Sequence, residues 1–172
     1  LIEIDNQSFL IMKKIIALVT VSLLLFACGT TKIERQAERT FKGSWTLNNV
    51  TYPNSDGFVD VTLFQDASAN CFRNSQWNFI SNNNKGTYTL SGANCNEGTR
   101  NFIWAVQEEN ADSGLYDFTL KPINDGENAR KINTGFRLNL VSLSETNMVW
   151  EQTVSYEGQP FIIRMNFSKS NY

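Results

Sequence analysis

The chain has 172 residues, with 15 Lys and Arg against 17 Asp and Glu, a net charge of −2 and no histidine. Without imidazole, Ser-His-Asp and Cys-His nucleophile pairs are excluded, as is every zinc site built on histidine. The charges are scattered, with no basic stripe and no acidic tail, so neither nucleic acid nor an electrostatically steered partner is expected.

The first feature along the chain is an apolar run. Met12-Lys13-Lys14 precedes Ile15 to Phe26, which carries no charge and ends at Ala27-Cys28-Gly29. A basic start, an apolar middle and a small residue before the cut make a secretory signal. The run is shorter than the ~20 residues a bilayer-spanning helix needs. Leu1 to Ile11, with Glu3 and Asp5 where a signal should be basic, read as lying upstream of a start at Met12. The end of the run, Leu23-Leu24-Leu25-Phe26-Ala27-Cys28-Gly29, resembles the bacterial lipobox. That resemblance implies a diacylglyceryl group on the Cys28 thiol and a mature chain starting there. Residues 1–27 are thus expected to be upstream sequence and signal, 28–40 a lipidated tether, and 41–172 one folded domain. The part from Cys28 onward is long enough to bury a core without metals or multiple staples.

The tether is polar, with Lys32, Glu34, Arg35, Glu38 and Arg39, and a helical turn or two is expected near Glu34–Arg39. From Phe41 the apolar pattern has period two. Trp45-Thr46-Leu47 opens it, and Val59, Val61 and Leu63 face away from Asp60 and Thr62 across an expected strand from Phe58 to Phe64. Residues 66–73 break the rhythm as a short helical turn. Trp77–Ile80 and Thr87–Leu90 are strands joined by the Ser81–Gly86 turn, and Asn96-Glu97-Gly98 turns again. Phe102–Val106 is apolar on both sides and reads as a strand covered on both faces. Tyr116, Phe118 and Leu120 alternate with Asp117 and Thr119. Ile123–Asn133 reads as the longest loop. Three strands close the chain, the last with Phe161, Ile163, Met165 and Phe167 on one face. About eight or nine strands joined by short turns stack as a sandwich or close as an up-and-down barrel, and closure removes exposed edges.

With Cys28 lipidated, Cys71 and Cys95 are left as an even pair in an exported, oxidising setting. They are expected to form a disulfide with Cα atoms within about 7 Å, two buried thiols being the alternative.

Phe41-Lys42-Gly43-Ser44-Trp45-Thr46-Leu47 resembles the Gly-x-Trp signature of lipocalins. Placed after a lipobox and tether, it is similar to the lipocalin-like lipoproteins of Bacteroidetes. Cys71 followed by Trp77-Asn78-Phe79 and Gly86-Thr87-Tyr88, and the late Leu143–Trp150 hairpin, match that group's layout. The resemblance spans Phe41 to Ser168 and implies an all-β, up-and-down antiparallel barrel of about eight strands. It places Gly43 and Trp45 at the closed base, with the glycine admitting a close backbone approach. Lipocalins often pack an arginine over that tryptophan, and Arg164 is the nearest candidate.

No enzyme chemistry is legible. Glu108 and Glu109 point to opposite faces of a strand, and Asp125-Gly126-Glu127-Asn128 lacks the spacing of a calcium loop. No Gly-rich phosphate loop precedes a helix, and neither cofactor nor metal is expected. The aromatics are the remaining signal. Trp77, Phe79, Tyr88, Trp104, Phe118 and Trp150 either fill a core or line a cavity for a small hydrophobic or amphipathic ligand, with Trp104 placed nearer the open end. A third reading is a protein-binding module that uses the 123–133 loop. The expectation is a monomeric ligand-binding protein held by lipid in the cell envelope, at the periplasmic or surface face of the outer membrane.

Overall fold

The computed structural model describes residues 13, 38–53, 55, 59–80, 83–92, 94–107, 116–124, 126–128 and 131–170. The run that resembles a lipobox, with Cys28, the expected tether up to residue 37 and the Glu108-Glu109 pair lie outside the described residues. Of the helical turn expected near Glu34–Arg39, residues 38 and 39 are described and are helical, and the helix continues to residue 41.

Among the described residues ten strands and one short helix follow: β1 (Gly43–Thr51), β2 (Thr62–Leu63), β3 (Ala67–Ser68), α1 (Ala69–Phe72), β4 (Ser75–Ile80), β5 (Lys85–Leu90), β6 (Gly98–Gln107), β7 (Tyr116–Ile123), β8 (Phe136–Leu143), β9 (Asn147–Tyr156) and β10 (Gln159–Lys169). Eight of them close an antiparallel barrel in the order β1-β10-β9-β8-β7-β6-β5-β4, while β2 and β3 pair only with each other. Tight turns set this up-and-down order. Glu157 and Gly158 are both left-handed, with φ of 49° and 78°, as a two-residue hairpin between right-twisted strands requires. Between β8 and β9 the Ser144 hydroxyl oxygen accepts from the Asn147 amide at 2.9 Å.

The period-two pattern becomes inside and outside. In β4, Ser75, Trp77 and Phe79 are buried while Gln76, Asn78 and Ile80 are exposed. In β10 the buried residues are Ile163, Met165 and Phe167. Strand β6 departs from the expectation of two covered faces. Phe102, Trp104 and Val106 are buried, but Ile103 and Ala105 are only half-buried on the outer side. A barrel with its core inside needs one apolar face per strand, so β6 alternates like its neighbours.

The antiparallel order defines two ends. The base carries the start of β1, the β4–β5 and β8–β9 turns and the end of β10. The mouth carries the end of β1, the β5–β6 and β9–β10 turns and the whole excursion from residue 52 to 74. That excursion is a longer connection than the one around 123–133, but it carries β2, β3 and α1 within it. A strand is expected over Phe58–Phe64, of which Phe58 lies outside the described residues; among the described ones only Thr62–Leu63 is a strand. Phe64 and Gln65 turn left-handed there, with φ of 54° and 56°, and Leu63 and Phe64 are both buried, whereas a strand with one covered face would turn them to opposite sides.

Candidate functional site

At the base, Phe41 enters the bore from the helical residues before β1. Its ring meets Phe79 edge-on at 4.6 Å, Trp104 at 5.1 Å, Phe118 at 5.2 Å and Trp150 at 5.9 Å between centroids. It thus touches residues of β4, β6, β7 and β9. The Trp45 Nε1–H donates to the Phe41 carbonyl oxygen at 2.8 Å, which ties the plug to the first strand.

The cation over Trp45 is Lys169, not Arg164. Lys169 Nζ lies 5.0 Å from the Trp45 ring centroid and donates to the Thr40 carbonyl oxygen at 3.3 Å. Register decides this: Lys169 is the Cα partner of Trp45 and shares its inward face. Arg164, an odd number of positions earlier, faces outward and donates from Nε to Glu151 Oε1 at 2.7 Å. The requirement for Gly43 is likewise different from close approach. A Cβ there would meet Lys169 Cε at an ordinary 3.5 Å, but φ is +112°, which only glycine adopts without strain.

Close approach operates instead at Gly86. A Cβ there would run into the Phe102 ring and lie 2.6 Å from the Asn78 carbonyl oxygen. The missing side chain lets the Phe102 ring cross the strand and join the bore.

All six expected ligand-site aromatics converge in the bore, each at most 2% exposed. Trp77 is the hub. It stacks on Tyr88 at 4.7 Å, meets Phe102 at 5.5 Å, and stands perpendicular to Trp150 at 5.4 Å and to Phe167 at 5.7 Å. Trp104, however, is at the base. It stacks on Phe41, and its Nε1–H donates to the carbonyl oxygen of Lys85, at the start of β5, at 3.1 Å. The β5–β6 register runs the second half of β6 past the β4–β5 turn, and spacing along the chain could not reveal that offset.

At the mouth, Phe64 descends from the β2–β3 hairpin. Its ring meets Phe136 at 5.3 Å, Phe72 at 5.6 Å and Trp77 at 5.9 Å. Two ties hold this lid to the barrel, and one hydrogen bond holds it together internally. Cys71 and Cys95 form a disulfide with Cα atoms 5.6 Å apart, joining α1 to the β5–β6 connection. Asp66 Oδ2 accepts from the Tyr88 hydroxyl at 2.9 Å and from Arg100 Nε at 3.0 Å. The Ala69 amide donates to the Val61 carbonyl oxygen at 2.7 Å. Burial, followed by the hydrogen bond and charge of Asp66, raises the Tyr88 phenol above its usual pKa, with Arg100 opposing. Tyr88 therefore stays a hydrogen-bond donor to the lid.

Beside the lid, a pocket of about 330 Å³ opens at the mouth rim among Ser55, Val59, Asp60, Tyr156, Gln159 and Phe161. Tyr156 is 60% exposed there. A second groove of about 340 Å³ lies outside the barrel, where Asn124 and Glu127 approach Lys85 and Asn101. Glu127 Oε2 accepts from the Asn124 amide at 3.0 Å, so this carboxylate serves its own turn.

Sequence reasoning did not single out Phe41 and Phe64, the residues at the two ends of the bore. Phe41 had a signal, its place directly before Gly-x-Trp. Phe64 had none, since its burial depends on a left-handed backbone that no residue type there announces.

The chain is similar in fold to several solved structures at low identity. A lipocalin-like protein from Bacteroides uniformis is 12% identical over 76% of this chain and 99% of its own, with a TM-score of 0.41. An uncharacterized protein from Bacteroides eggerthii is 13% identical over 75% and 98%, with a TM-score of 0.43. Bovine odorant binding protein, in complex with a selenium-containing odorant, is 16% identical over 84% and 76%, with a TM-score of 0.42. No family model and no curated protein matches this chain.

Proposed function

We propose that this protein is a lipid-anchored envelope protein that takes a small hydrophobic or amphipathic molecule into its aromatic bore through the mouth. One observation carries the reading. The mouth is closed by a hairpin that lies outside the barrel's hydrogen-bond ladder and inserts a single aromatic ring, Phe64, on a strained backbone. Consecutive left-handed non-glycine residues, one of them bulky, cost roughly 1–3 kcal/mol each and cluster at ligand clamps and switches. Withdrawal of Phe64 relieves that strain and uncovers Trp77 and Tyr88. The rim pocket lies where an arriving molecule first meets the barrel.

The anchor is the Cys28 lipid, which the Met12–Gly29 pattern supports, and the protein acts as a monomer at the outer membrane. Radiolabelled palmitate should enter the wild-type chain and not Cys28→Ala. Label retained by the variant would remove the anchor.

A second reading, an interaction module around a filled core, is favoured by the mutual contact of the bore aromatics and by the exposed Tyr156. Titration with a fluorescent fatty-acid probe separates the two. Ligand binding gives saturable uptake of one probe per chain and a higher melting temperature. If no apolar probe binds, the filled-core module is the correct reading.

A further inference from the structure

Four tryptophans are fully buried, and three of their indole N–H groups have acceptors. Trp45 donates to the Phe41 carbonyl oxygen at 2.8 Å, Trp77 to the Ser75 hydroxyl oxygen at 2.9 Å, and Trp104 to the Lys85 carbonyl oxygen at 3.1 Å. Trp150 Nε1–H has none, and among the described residues it is the one buried side-chain nitrogen or oxygen without a partner. Trp150 is 0% exposed, so water at the surface does not serve it.

Its surroundings offer no acceptor atom of comparable strength. The rings of Phe167, Phe118, Trp77, Phe79 and Phe41 stand 4.2–5.9 Å away between centroids. Ring faces accept hydrogen bonds only weakly. A phenylalanine would fill the bore here without bringing in a buried donor, and a buried donor with no acceptor carries its full desolvation penalty. The indole therefore asks for an acceptor that the protein itself does not provide.

We propose that Trp150 Nε1–H is the polar recognition point of the bore. It donates one hydrogen bond to an acceptor oxygen, of the carbonyl, ester or carboxyl class, on an otherwise apolar ligand. This rests on the ligand-binding reading and narrows it. Indole donates and never accepts, so the site favours a molecule with an acceptor oxygen over a hydrocarbon of the same shape. A molecule whose polar end only donates gains nothing there. Trp77 touches both Phe64, at 5.9 Å, and Trp150, at 5.4 Å, so withdrawal of the Phe64 ring opens the layer next to this donor.

The test compares acetophenone with ethylbenzene, close in shape and differing by one carbonyl oxygen. The full chain is used with Cys28→Ala, so that no attached lipid competes for the probe. Affinities are measured by calorimetry, and the indole N–H signals by ¹H–¹⁵N NMR. One net hydrogen bond corresponds to about a 3- to 10-fold tighter Kd for acetophenone. Its binding should move the Trp150 indole proton downfield, while ethylbenzene leaves it in place. Trp150→Phe should erase the preference and still bind ethylbenzene, although the wild-type ratio and NMR shift decide the matter even if that variant fails to fold. Equal affinities with an unmoved Trp150 signal overturn this inference and leave the ligand reading standing. If neither probe binds while the fatty-acid probe does, this inference falls alone; if the fatty-acid probe fails as well, the two fall together.

Discussion

At the base of the barrel, the plug and the strand it stabilises are continuous in the chain. Phe41 lies two residues before β1, its carbonyl accepts from Trp45, and Lys169 at the end of β10 covers that indole. At the mouth, the plug belongs to a hairpin paired only with itself, and a disulfide and one carboxylate attach it from outside the ladder. Both ends exclude water with a phenylalanine ring. Only the mouth does so with a strained backbone and with contacts that come apart without breaking a barrel strand. On the proposed reading a closed barrel separates two tasks, the base built for the fold and the mouth for opening.

The largest effect expected from this contrast is at the base. Trp45→Ala removes a fully buried indole, its hydrogen bond to Phe41 and the ring beneath Lys169. Truncating a buried tryptophan costs about 3–5 kcal/mol, which for a domain of this size lowers Tm by roughly 10–20 °C. Calorimetry should find that loss with and without an apolar probe. A near-native Tm would mean the base is not a keystone of the fold.

Next in size is the mouth. The Cys71–Cys95 bridge closes a separation of 24 residues and is expected to contribute about 3 kcal/mol on the chain-entropy model. The double variant Cys71→Ser, Cys95→Ser should lose that stability and take up the fatty-acid probe faster, because α1 is freed from the β5–β6 connection. Stopped-flow uptake unchanged from wild type would show that the bridge does not restrain the lid.

Much of this was legible in the sequence. Alternation from Trp45 to Phe167 marks the strands, Glu157-Gly158 fixes the last hairpin, and Cys71 with Cys95 announces the bridge. Inwardness was legible too, since Trp77, Phe79, Tyr88, Phe118 and Trp150 all reach the bore. What alternation does not carry is height along the bore, which depends on register and shear between strands. Trp104 was therefore assigned to the wrong end. Arg164 was named for the contact over Trp45, although alternation already turns it outward, and Lys169 stands there. Nor does it carry the left-handed turn at Phe64-Gln65, where a run that reads as strand Phe58–Phe64 becomes a lid instead. The orphaned indole of Trp150 needed coordinates, because its distinction from the other three tryptophans is the acceptor it lacks.

The difference between the two ends is tested most directly by native-state amide exchange on the full chain. The Asp66 and Ala69 amides, bonded to the Leu63 and Val61 carbonyl oxygens at 2.9 and 2.7 Å, report the lid. The amides of β1 report the base. The account predicts that the lid amides exchange by local opening, at least about tenfold faster than those of β1 and insensitive to low denaturant. Lid and β1 amides exchanging together, only through global unfolding, would contradict it.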